Sequence, residues 1–176
     1  MKERRGPEEV ARMIGQLTDR IAAAFDPRAR LNVVGIRTRG ETLADRLARG
    51  LSARGFTDLG RGVLDITLYR DDLSEVGPRP IVGPTQIDVP LDGVPLLLVD
   101  DVLFTGRSVR AALNLLSDYG RPSAVRLAVL VDRGGRELPI QPDFVGTTFT
   151  GLRGRDRVNV RLVEQDGVDE VVVEER

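Results

Sequence analysis

Two adjacent carboxylates, Asp100 and Asp101, follow the apolar run Pro95 to Val99 and precede a small polar turn, Thr105-Gly106-Arg107-Ser108. An apolar strand that delivers two acids and then a glycine-containing turn into a helix can hold an anion. The turn's amides and the helix N-terminus favour a phosphate, and Thr105 and Ser108 add hydroxyl donors. The two carboxylates suit sugar hydroxyls or a hydrated Mg2+. One short segment could therefore grip phosphate at one end and ribose at the other. A plain strand–turn–helix could carry a capping aspartate here, but it would not need both acids together with Thr-Gly-Arg-Ser.

Three other polar segments also follow apolar runs: Arg37-Thr38-Arg39-Gly40, Arg70 to Pro80, and Asp132 to Arg136. In an open α/β sheet, ligands bind at the carboxyl ends of the strands, so these segments are expected to share one rim.

The elements that must position them follow from periodicity. Val10, Met13, Ile14, Leu17 and Ile21 recur at helical spacing and predict a helix over 8–25, opened by Pro7. Strands are expected at 31–36, 63–69, 95–99, 125–131, 144–148 and 157–164, with an edge strand at 168–173. Helices are expected at 41–54 and 109–119, the latter capped by Gly120. Residues 81–89 read as extended, and 70–80, charged and proline-terminated, as a loop. Strands alternating with helices predict an α/β fold with a mainly parallel sheet. The 176 residues suit one domain.

Composition narrows the chemistry. The chain has no cysteine and no histidine, which excludes thiolate and imidazole catalysis and Cys- or His-ligated metals. Lys+Arg total 26 and Asp+Glu total 27, a net charge of -1, so no global pull toward nucleic acid or membrane exists, although a local basic patch can. No apolar run approaches the ~20 residues that span a bilayer. The charged Met1-Lys2-Glu3-Arg4-Arg5 is followed by no signal-peptide core. A cytoplasmic protein is expected.

Val99-Asp100-Asp101-Val102-Leu103-Phe104-Thr105-Gly106-Arg107-Ser108 resembles the motif with which type I phosphoribosyltransferases bind 5-phosphoribosyl diphosphate (PRPP). Asp65 to Leu73, Gly120-Arg121-Pro122, Leu127 to Gly134 and Arg136 to Ile140 resemble one branch of them, the PyrR family. Its members are bifunctional pyrimidine-operon attenuation regulators and uracil phosphoribosyltransferases. The resemblance runs from about Val33 to Val163. It implies the type I phosphoribosyltransferase fold, with a small hood built from N- and C-terminal segments. It implies that Asp100 and Asp101 hold the ribose hydroxyls, directly or through Mg2+ and water, and that Thr105 to Ser108 hold the 5′-phosphate. Thr38-Arg39-Gly40 resembles the diphosphate loop, in which a cis peptide before the Arg turns backbone amides toward the ligand. Residues 70–80, with Arg70, Asp71, Asp72 and Arg79, resemble the flexible loop that closes over PRPP. Val131, Asp132, Arg133 and Val158 resemble the surroundings of the base.

The resemblance also implies homodimers or larger assemblies and uridine-nucleotide-dependent binding of pyrimidine-operon leader mRNA. Arg136, Arg153, Arg155 and Arg157 are the candidate RNA contacts, with Arg161 nearby. The chain departs from the family's pattern on this face. Gly135 stands for a common His, Gln141 for an Arg, and 147–157 is altered. Other readings stay open: a UMP-sensing RNA-binding regulator with little turnover, a purine-specific transferase, and a phospho-acceptor domain. The last leaves Arg39 and Thr105 to Ser108 without a role.

Overall fold

The computed structural model describes residues 3–69 and 83–175. The elements run β1 (Glu3–Arg5), α1 (Pro7–Ala24), β2 (Leu31–Ile36), α2 (Arg39–Ser52), β3 (Leu59–Leu64), a 3-10 turn (Thr67–Tyr69), β4 (Leu96–Leu103), α3 (Arg107–Leu116), β5 (Val125–Asp132), β6 (Phe144–Thr148), β7 (Arg157–Arg161), α4 (Val163–Asp166) and β8 (Glu170–Glu174). β2 to β6 form a five-stranded sheet in the order β3-β2-β4-β5-β6. Every pairing in it is parallel.

The central strand β4 is apolar on both faces because helices cover both. Leu97 and Val99 point to the α1–α2 side, where Val10, Leu17, Ile21, Leu43, Leu47 and Leu51 meet them. Leu96 and Leu98 point the other way, onto Val109, Ala112 and Leu116 of α3. Strand alternation of this kind sorts side chains between two cores. It also carries Asp101 to the α1–α2 side.

The termini build a second, three-stranded antiparallel sheet, β1-β8-β7. Its inward residues Val160, Val171 and Val173 join the α1–α2 core, so this hood sits on the same side as Asp101. The expected edge strand near the C-terminus is in fact the middle strand, since β1 pairs with its outer flank. β1, Glu3-Arg4-Arg5, has no apolar period to announce it. Its extended form comes from pairing with β8.

Several boundaries differ from expectation. β3 spans 59–64 and gives way to the 3-10 turn, because Asp65 ends the ladder by accepting the Thr67 N–H at 2.9 Å. β4 continues through Leu103, so Asp100 and Asp101 lie within the strand. α3 stops at Leu116, before Gly120. The expected strand over 157–164 ends at Arg161, and α4 begins at Val163. Of the extended segment 81–89, Gln86 makes a single antiparallel bridge to Val63. Among the described residues, no helix is long and apolar enough to cross a membrane.

Candidate active site

The site begins with two glycines. A Cβ on Gly35 of β2 would stand 2.4 Å from the Gly40 carbonyl oxygen, and one on Gly40 would stand 2.6 Å from the Val99 carbonyl oxygen and 3.2 Å from Asp100 Cα. The start of α2 therefore rests directly on the backbones of β2 and β4, which only bare Cα atoms permit. This contact brings Thr38-Arg39-Gly40 against the acidic end of β4. The Arg37–Thr38 peptide is cis, one bond earlier than a cis bond immediately before Arg39 would fall.

Asp100 is buried, and its Oδ1 accepts the Asp101 N–H at 3.0 Å. Burial pushes the Asp101 carboxyl above the ordinary aspartate range, against the opposing pull of a hydrogen bond with Asp100 and the charge of Arg39. A pocket of about 300 Å³ is lined by Arg39 and Asp101 on one side and by Val158, Asn159, Val160 and Arg161 of β7 on the other. The fold thus brings together Arg39, Asp101 and Val158, from three distant parts of the chain.

Arg39 is fixed by a residue that sequence reasoning did not single out. Its Nε donates to Asp166 Oδ2 at 3.2 Å and its Nη2 to Asp166 Oδ1 at 2.8 Å. Asp166 Oδ2 also accepts the Leu162 N–H at 2.9 Å. Hydrogen bonding to Arg39 holds the Asp166 carboxyl below its ordinary range. A lone aspartate in Glu-Gln-Asp-Gly carries no signal that would mark it. Only the folding of α4 onto α2 does.

The turn after β4 is ordered by its neighbours. Gly106, at φ 93°, is the N-cap of α3 and needs the left-handed conformation that glycine tolerates. The Thr105 carbonyl accepts the N–H groups of Glu137 and Leu138, and Thr105 Oγ1 accepts the Arg107 N–H at 3.3 Å. Arg107 pairs outward with Glu137 at 2.6 Å. Ser108 lies in the first turn of α3, whose leading N–H groups lack intrahelical acceptors. Val102 is partly accessible, Leu103 is core, and Phe104 is exposed.

At the end of β5, Val131 is buried between β4 and β6. The Asp132 carbonyl accepts the Phe149 N–H, and the Arg133 N–H goes to the Leu103 carbonyl. The buried Arg133 side chain stacks 3.6 Å from the centroid of the Phe104 ring and donates to the carbonyls of Arg153, Gly154 and Asp156. It ties the segment after β5 to residues 153–156. Gly135, at φ 78°, has a Cα so close to Phe104 that a Cβ would stand 2.6 Å from the ring. A side chain there would have to displace the ring.

Arg136 turns inward. It pairs with Asp132 at 2.8 Å and donates to the carbonyls of Phe104 and Ile140. Arg153, Arg155 and Arg157 are exposed, so the structure separates them from Arg136 in environment. Arg70, Asp71, Asp72 and Arg79 lie outside the described residues. The chain on either side of that segment meets at Asp65, which accepts the N–H groups of Thr67 and Gly83. Burial pushes Asp65 up, but these bonds and Arg37 bring its carboxyl below the ordinary range.

Among the described residues no three acidic side chains converge on a metal position. Asp100 and Asp101 fit a hydrated divalent ion shared with a phosphorylated ligand, not a closed protein cage.

Comparison with known proteins identifies the family. Residues 4–151 match the phosphoribosyl transferase domain. The bifunctional protein PyrR of Chloroflexus aurantiacus is 55% identical over 142 residues, covering 80% of this chain and 77% of its own. That of Thermus thermophilus is 49% identical over 168 residues, covering 96% and 92%. A hypoxanthine-guanine phosphoribosyltransferase from Bacillus anthracis superposes with a TM-score of 0.67 over 86% of each chain, at 17% identity. The last likeness is one of fold alone. With 49% and 55% of aligned residues shared with these two PyrR proteins and the domain match covering residues 4–151, the chain belongs to the PyrR family of phosphoribosyltransferases.

Proposed function

We propose that this chain is a cytoplasmic enzyme that transfers the phosphoribosyl group of PRPP to uracil, giving UMP and diphosphate. The observation that carries the reading is the contact of Gly40 with Val99 and Asp100, which sets Arg39 and Asp101 on one wall of a single pocket. Its place at the carboxyl ends of β2 and β4 is where α/β sheets bind ligands. Membership of the PyrR family supports uracil as the acceptor.

In the proposed reaction a uracil ring nitrogen bonds to C1 of the ribose as the bond from C1 to the diphosphate oxygen breaks. The ring nitrogen's proton passes to solvent or to the departing diphosphate. Positive charge develops on the sugar and negative charge on the leaving group. Asp100 and Asp101 hold the ribose hydroxyls, and Thr105 to Ser108 hold the 5′-phosphate. Arg39 stabilises the departing diphosphate by charge. Asp100 and Asp101 would hold a Mg2+ ion through water where one binds with PRPP, and such an ion would supply further charge neutralisation of the leaving group. No protein nucleophile is required, so the rate comes from positioning and electrostatics.

The second proposed activity is uridine-nucleotide-dependent binding of pyrimidine-operon leader RNA by a homodimer or larger assembly. The exposed Arg153, Arg155 and Arg157 support it, held beside the base-side segment by Arg133. Calorimetric titration with UMP, run beside a diphosphate-release assay, tests the enzyme reading. Binding with turnover supports it. Tight UMP binding without turnover would make the chain a nucleotide sensor.

A further inference from the structure

We infer that Asp166 is a positioning residue for phosphoribosyl transfer, holding one edge of the Arg39 guanidinium so that its other edge faces the pocket. The inference rests on the proposed role of Arg39 toward diphosphate. A guanidinium carries five N–H donors in a rigid fork. Asp166 takes two of them in bidentate fashion, at Nε and Nη2. The remaining donors, both on Nη1 and one on Nη2, have no hydrogen-bond acceptor among the described residues. Arg39 nonetheless lines the pocket with Asp101. A planar fork held along one edge offers the opposite edge with little orientational freedom left to lose.

A competing partner explains why the clamp matters. Arg39 feels the charge of Asp101 beside it on the pocket wall. Without Asp166, a long and flexible side chain could pair with Asp101 and close the space a diphosphate needs. Asp166 is itself well anchored. Its Oδ2 accepts the Leu162 N–H, and its neighbour Gln165 donates from Nε2 to the Thr38 carbonyl at 3.2 Å. Two further carboxylates, Glu164 and Asp169, grip Arg46, about two helical turns along α2 from Arg39. The segment between β7 and β8 therefore sets the direction of an arginine at the start of α2. This exceeds what capping α4 alone would require.

The test is a double-mutant cycle on the full chain, using Asp166→Asn, Arg39→Ala and the pair, with steady-state kinetics in PRPP and uracil and a melting curve for each. Asp166→Asn is expected to lower kcat/KM for PRPP about tenfold while leaving KM for uracil within about twofold. On the Arg39→Ala background the same change should have little further effect. Asp166→Glu, which keeps the charge, should recover part of the loss and serves in place of the Asn variant if that one fails to fold. Glu164→Ala breaks the neighbouring bond to Arg46, and should lower Tm without changing PRPP kinetics. Equal losses from Asp166→Asn on both backgrounds would overturn the inference and leave Asp166 as an anchor of α4. An Arg39→Ala enzyme with unaltered PRPP kinetics would instead remove Arg39 from the reaction, and the role of Asp166 with it.

Discussion

Gly40 and Val99 approach so closely that a Cβ on Gly40 would stand 2.6 Å from the Val99 carbonyl oxygen. The neighbouring atom is backbone in a central strand, so it cannot move aside cheaply. Gly40→Ala should destabilise the fold by about 1–3 kcal/mol, as overpacking does, and should also weaken PRPP binding by lifting Arg39 away from Asp101. Urea denaturation and KM for PRPP, measured together, check both parts. An alanine variant with wild-type stability would mean that α2 does not rest on β4 as described.

Asp101 should show a trade between stability and activity. Burial raises its carboxyl above the unfolded value. Its stabilising contribution is then full below the unfolded pKa and lost as pH rises through the folded one. Asp101→Asn, which cannot ionise, should therefore melt at a higher temperature than the wild type near pH 8, by about 2 °C or more. The same change should lower kcat/KM at least tenfold, about 1.4 kcal/mol. Unchanged kinetics would remove Asp101 from the reaction.

The clasp between α2 and the hood should weaken in acid. Hydrogen bonds from Arg46 hold Glu164 and Asp169 below their ordinary ranges. Groups with lowered folded pKa values stabilise above the unfolded pKa, and that gain is lost as pH falls through the folded one. Arg46→Met should cost about 1 kcal/mol at pH 7, a figure discounted for solvent screening. Its deficit against wild type should narrow below about pH 4. A deficit that stays constant from pH 7 to pH 3 would show that the ion pairs contribute nothing.

If the exposed arginines meet RNA phosphates, Arg155→Ala should weaken leader binding and reduce the slope of log K against log salt by about 0.7, the value for one phosphate contact on a single strand. An unchanged slope would mark Arg155 as a solvated side chain.

Much of this architecture was legible in the sequence. The bounds of β2 and β6 match expectation, because short apolar runs between turn residues leave little room for error. The acidic pair and the Thr105 to Ser108 turn stood out because few structural roles need both. What sequence could not show was long-range. Arg39 meets Asp166 across 127 intervening steps of chain, and neither residue has a periodic context that points to the other. β1 consists of three charged residues whose extended form depends on β8. In sequence Arg136 stands with Arg153, Arg155 and Arg157 as a candidate RNA contact, but its reach to Asp132 and two carbonyls turns it inward. Composition cannot distinguish an arginine that builds a loop from one that waits for a ligand.

The most direct test of the central claim is formation of UMP from labelled uracil and PRPP in the presence of Mg2+, with hypoxanthine and guanine as competitors. The account predicts turnover that yields one diphosphate per UMP and that neither purine inhibits strongly. Turnover of a purine in preference to uracil, or no turnover with any base, would contradict it.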